Sequence, residues 1–416
     1  MRQRMKNKTI CVLLLSCFAV LTSCGGKEDS AADYFNLDAG CMAGDTFYLS
    51  AGEVSVWNPM FEEIRHGLCR DPLCSHNDPD AVCPDYSLLW QKSIITDGVK
   101  LYMSAINASL TDTDGVFRRQ IYSLNFDGSD FTLLAAYDTS GAASSLIRYS
   151  DGYIYYEQGL YRDGYGLSAD GGRDDQYKKI MRIPSSGGSP EAVLDSELDM
   201  MASFYVDGEN YYVISSADNA AQSLTVIDKS SGSVSEEAFR DVEGYFFGMR
   251  VYRGRTYLIT SAPKIFSALR DDGTTAEKLT DNCILYYLDG GSTRKIAEGN
   301  FTFASDGIWY TTTECEYLGT SETTTEYSGE TEEADCFAVT VKSLVRLDPD
   351  DYTAEEYFPG EGFADGDSIE VIAGEGGVLW ADVWNDKTLF SEGNAAYRSC
   401  LIKTENGSAS VSKIYK

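Results

Sequence analysis

The sequence predicts an all-β chain that closes into a β-propeller, read as seven four-stranded blades. Three observations predict it. A turn glycine followed by an aromatic strand recurs seven times. Tyrosine is abundant, at 28 residues against 9 prolines, which favours pleated, half-buried strands. No apolar pattern of helical period runs for four turns after residue 34.

The repeat has the form x-Gly-x-x-apolar-aromatic. It begins as Ala43-Gly44-Asp45-Thr46-Phe47-Tyr48 and returns at Gly98, Gly152, Gly208, Gly254, Gly307 and Gly376. The spacings are 54, 54, 56, 46, 53 and 69 residues, close to one blade each. Asp-Gly, the commonest opening pair, supplies the positive φ that a tight hairpin turn needs. A second turn signal follows within most units, at Asp127-Gly128, Ser186-Gly187, Asp228, Asp289-Gly290, Asp348 and Asn406-Gly407. Two turns and the runs between them give four strands per unit. One such sheet cannot shield both of its faces, so neighbours must stack around an axis. Six or eight blades also fit, because the first unit is short on strands and the last is long. A pair of β-sandwiches is the competing architecture, and the even spacing speaks against it. On these glycines and aromatics the chain resembles the TolB-like and YWTD-type propellers of extracytoplasmic bacterial proteins, although it has no Tyr-Trp-Thr-Asp tetrad.

Three segments are expected: 1–23 as a signal peptide, 24–33 as a flexible tether and 34–416 as the propeller. Arg2, Arg4, Lys6 and Lys8 make a cationic start, and Ile10 to Leu21 is apolar but too short to span a membrane, which takes about 20 residues. Leu21-Thr22-Ser23-Cys24 follows and resembles the bacterial lipobox. That resemblance implies a diacylglycerol on Cys24, cleavage before it, and anchoring on the extracytoplasmic face of the cell membrane. Loss of the four leading cations takes the formal charge from −31 to −35, so the body repels nucleic acid and none is expected as a partner.

The sharpest local signal is Cys69-x4-Cys74-x-His76-x6-Cys83. Three thiols and an imidazole within 15 residues match a closed Cys₃His structural zinc site, and Pro72, Pro79 and Pro84 stiffen the loop. His66 is a substitute ligand or an open-site partner. Disulfides are the alternative outside the cytoplasm, with Cys41, Cys69, Cys74 and Cys83 forming two bridges in any of three connectivities. Cys-x-Asp-Pro-Leu-Cys-x-His with a following Cys-Pro also resembles a motif of surface lipoproteins from gut Firmicutes. Farther on, Cys315 and Cys336 flank a polar insertion and are expected to form a cross-strand disulfide, worth about 3 kcal/mol in the chain-entropy model.

The chain has two histidines, both in or beside the cysteine loop, so no Ser-His-Asp triad can be drawn from elsewhere. No Gly-x-Ser-x-Gly, P-loop, dinucleotide fingerprint or His-Glu-x-x-His is present. Two acidic loops, 163–175 and 348–351, lack the full EF-hand spacing for calcium. The expectation is a binding or scaffolding propeller, not an enzyme, with a protein or glycan ligand. Its rival is a glycan-active enzyme that uses paired carboxylates.

Overall fold

The computed structural model describes residues 34–415 except 38–39, 45, 52, 59–62, 70, 72, 78–82, 111–115, 141–145, 162–175, 195–196, 200–201, 217–221, 239–241, 290–291, 325–330 and 393–396. Cys24, the segments 1–23 and 24–33 and the acidic loop 163–175 lie outside the described residues, as do Pro72 and Pro79.

The described residues trace antiparallel meanders one after another, and the chain is a β-propeller. The first blade is Gly40–Ala43, Thr46–Ala51, Glu53–Asn58 and Glu63–His66, with Tyr34–Leu37 added beside its first strand. The second is Leu89–Thr96, Leu101–Asn107, Val116–Leu124 and Thr132–Ser140. The third is Ile147–Ser150, Tyr153–Tyr161 and Gln176–Pro184, with Glu191–Ala192 and Leu198–Asp199 both paired to its third strand. Ser203–Val206, Asn210–Ser216, Gln222–Asp228 and Val234–Ala238 make the fourth.

The fifth and sixth share a continuous strand, Ser292–Ala304, whose first half closes one blade and whose second half opens the next. Tyr245–Tyr252, Arg255–Ser261 and Cys283–Asp289 complete the fifth; Gly307–Thr324, Thr331–Leu347 and Ala354–Pro359 complete the sixth. The last is Asp367–Glu375, Val378–Asn385, Arg398–Glu405 and Ser408–Tyr415. It joins the sixth by a short parallel pairing of Phe358 with Ser408 and Pro359 with Ala409.

Every repeat glycine of the sequence falls at the turn between the first and second strands of a blade, and the described residues of the second turn signals fall between the third and fourth. The Asp of the repeat has a further task. Asp97 Oδ1 accepts the N–H groups of Val99 and Lys100, and its Oδ2 takes the hydroxyl of Tyr102 at 2.7 Å. Asp207 and Tyr212 repeat the arrangement at 2.5 Å. The aromatic five residues on thus locks the turn that precedes it.

Packing explains the near-continuous apolar runs. In the first blade Cys41, Tyr48, Val54 and Val56 enter a core shared with the second blade, while Met42, Phe47, Leu49 and Trp57 enter another shared with the last. Successive residues point to opposite faces, so a sheet covered on both sides must be apolar at both parities. The same division holds from the second blade to the third, and onward through the sixth and last. The cluster joining Trp57 to Trp380 closes the circuit, with ring centroids 5.7 Å apart. Among the described residues no strand pairing crosses that seam. Side chains hold it, at about 1.5–3 kcal/mol for each large apolar group fully buried.

Candidate metal centre and channel cavity

The loop between the first and second blades carries the Cys/His motif. Leu68 and Tyr86, near its two ends, are buried in the core that those blades share. Their burial fixes the ends of the loop. The Asp85 carboxylate accepts the Cys69 N–H at 2.7 Å, and Ser87 donates its N–H to the His76 carbonyl at 2.8 Å. The buried Lys92 ammonium donates to the Pro84 carbonyl at 3.1 Å. His76 is held at φ 55°, a left-handed conformation that is uncommon for a side chain of this size.

These constraints bring Cys69, Cys74, His76 and Cys83 together, with one ligand atom from each lying within 4.8 Å of all the others. His76 Nδ1 stands 3.2 Å from Cys83 Sγ. Ligands of a tetrahedral zinc sit about 3.8 Å apart, given bonds of about 2.3 Å to sulfur. The cluster could hold a metal ion after a contraction of about 1 Å. Burial pushes the Cys83 thiol up, and the neighbouring Cys74 and Cys69 thiols push it further. Crowded thiols resist ionising together, and a divalent cation is what reverses that resistance.

His66 closes the outer strand of the first blade opposite Val56 and is not one of the four. Cys41 is wholly buried in the adjoining core, apart from the cluster, and is a free thiol like the three loop cysteines. The two-bridge arrangement is therefore not formed. The expected Cys315–Cys336 bridge is not formed either, and the register explains why. The two strands of the sixth blade run on through the polar insertion as a long hairpin, in which Cys315 faces Val339 and Cys336 faces Gly319. Three positions along the strand separate the two cysteines, which puts them on opposite faces. Cys336 Sγ instead lies 3.1 Å from the Ser321 hydroxyl.

A second feature was not foreseen from the sequence. First strands of successive blades surround the channel, and their ends enclose a cavity of about 420 Å³. Arg148, Tyr205 and Arg250 line it from the third, fourth and fifth blades. Its two carboxylates are both engaged. Asp151 takes Lys229 Nζ at 2.6 Å, and Asp207 is committed to its turn and to Tyr212. No residue of the Cys/His loop lines the cavity. The available signal was an arginine inside an otherwise apolar inner strand, as in Leu146-Ile147-Arg148-Tyr149 and Gly248-Met249-Arg250-Val251.

Solved structures similar to the chain include the β-propeller domain of the Trilobed protease from Pyrococcus furiosus, 11% identical, with a TM-score of 0.36 over 77% of this chain and 97% of that one. TolB from Acinetobacter baumannii is 11% identical, with a TM-score of 0.30 over 91% of this chain and 81% of that one. The periplasmic gluconolactonase of Pseudomonas aeruginosa is 12% identical, with a TM-score of 0.25 over 72% and 91%. No protein-family model matches the chain, and no curated protein matches it. These likenesses speak to neither ligand nor reaction.

Proposed function

We propose that this chain is an exported lipoprotein, anchored by a diacylglycerol on Cys24 at the extracytoplasmic face of the cell membrane, whose propeller binds or scaffolds a protein or glycan ligand. The observation that carries the binding role is the cavity where first-strand ends from several blades converge. A cavity of about 420 Å³ lies within the range of small-ligand sites, roughly 300–1,000 Å³. The carboxylates lining it are bound to their own turn or to Lys229, as positioning groups would be. Zinc in the Cys69, Cys74, His76 and Cys83 cluster is a structural staple in this reading. It fastens the linker of the first two blades and takes no part in ligand binding.

Two experiments test the proposal. Labelling cells with a radioactive fatty acid should mark the chain and leave the Cys24→Ser variant unmarked; label on both would refute the anchor. Purified full-length chain, screened against a panel of glycans, should bind without turnover. Hydrolysis that one Asp or Glu substitution abolishes would replace the binding role with the paired-carboxylate enzyme.

A further inference from the structure

We infer that the channel cavity is a site for a sugar-sized ligand bearing an oxyanion, a carboxylate or a phosphate ester, gripped by Arg148, which the Tyr205 ring holds in position. The inference rests on the binding role just proposed and gives that site a ligand chemistry. Arg148 rises from the first strand of the third blade and lays its guanidinium over the Tyr205 ring of the fourth, 4.1 Å from the centroid. No carboxylate pairs with it among the described residues. Arg250 reaches the same corner from the fifth blade. Its Nη1 lies 3.3 Å, and the Tyr205 hydroxyl 3.7 Å, from the point where a side chain on Gly248 would begin. Gly248 leaves room there for both. Arg253 adds a third cation at the rim and donates to the Ser305 carbonyl.

The charge balance points the same way. Three arginines line the cavity against two aspartates, and Lys229 already neutralises one of these, Asp151. Such a concentration of cations stands out in a chain of formal charge −31. A guanidinium held in a recess is desolvated without full compensation unless an anion completes its donors. Its fork of parallel N–H groups matches the two oxygens of a carboxylate or a phosphate. The Tyr205 face, covered by the guanidinium, holds the fork in position. The acidic exterior repels bulk anions, so affinity has to come from short-range contacts within the recess.

Titration calorimetry on the detergent-solubilised full-length chain tests the inference with glucuronate, glucose 6-phosphate and glucose as probes. At least one of the two anions should bind saturably and glucose should not, and which anion binds separates carboxylate from phosphate ester. Arg148→Gln should weaken that binding at least tenfold, and Tyr205→Ala should weaken it while Tyr205→Phe keeps it. Arg118→Gln, an exposed charge change on the second blade, should leave it unaltered. Thermal melts of each variant establish that the ring is intact. Failure of both anions to bind, binding no tighter than that of glucose, or a loss of less than tenfold in Arg148→Gln would overturn the inference. The broader binding role is judged separately: it survives if the panel yields a neutral glycan or a protein ligand, and it fails on turnover.

Discussion

At the level of single residues, the Cys/His cluster that could hold a metal was the most legible part of the site. Cysteine and histidine spacing within a short loop is a local property, and the loop folds locally around it. What spacing could not decide was clustered free cysteines against disulfides, because that depends on how Asp85, His76 and Lys92 bend the loop. Freshly purified chain should carry about one zinc. Cys74→Ser should lose it, keep the strand signal in circular dichroism, and fall in stability by about 1–3 kcal/mol. Metal-free protein with alkylatable loop thiols would contradict the assignment. Glycines separate in the same way. Gly128 and Gly152 both have φ near +80°, yet a side chain on Gly128 would start 2.1 Å from the Leu68 carbonyl, whereas nothing lies within 4 Å at Gly152. Gly152→Ala should cost about 1 kcal/mol for the backbone alone. Gly128→Ala should cost several times more, because it pushes the linker off the second blade, and urea melts of the two variants compare them directly.

Among the elements, the turns were readable and the insertions were not. Gly and Asp-Gly pairs mark where strands reverse, whatever the sheet does later. The hairpin Lys264–Leu269 and Thr275–Thr280 lies inside the fifth blade's repeat, and its pattern alternates like any other strand pair. Only tertiary pairing shows that it stands apart from the blade. Glu298 ties it down, accepting Lys264 and Lys295 at 2.7 Å each. Those two ammonium groups lower the Glu298 carboxyl from its ordinary 4.5 to about 2. A depressed carboxyl stabilises the fold above its unfolded value and loses that contribution as pH falls towards 2. Glu298→Gln should therefore cost less than about 1 kcal/mol at pH 7, given its partial exposure. The gap from the parent should close between pH 4.5 and 2, and melts across that range should record it. In the third blade Lys178 and Glu157 form a pair 2.9 Å apart that is almost wholly buried. Glu157→Gln should cost about 3–5 kcal/mol, because it strands a buried ammonium, while Glu157→Leu with Lys178→Met should recover most of that.

For the molecule as a whole, the repeat implied a ring but could not say how the ring shuts. Trp57 and Trp380 are more than 300 residues apart, and nothing local in either strand names its partner. Among the described residues the structure joins them through side chains alone, since the first and last described strands pair within their own blades. Ligand chemistry was hidden for the same reason. The channel cavity exists only once Arg148, Tyr205 and Arg250, from three separate blades, are brought together.

The closed ring is therefore the claim on which both the cavity and the binding role depend. A double-mutant cycle on Trp57→Leu and Trp380→Leu, read by urea unfolding, tests it most directly. A closed seam predicts that the two losses fail to add by about 0.5–1.5 kcal/mol, as touching aromatic rings do. Additivity to within about 0.3 kcal/mol would mean that the first and last blades do not meet, and would contradict the ring.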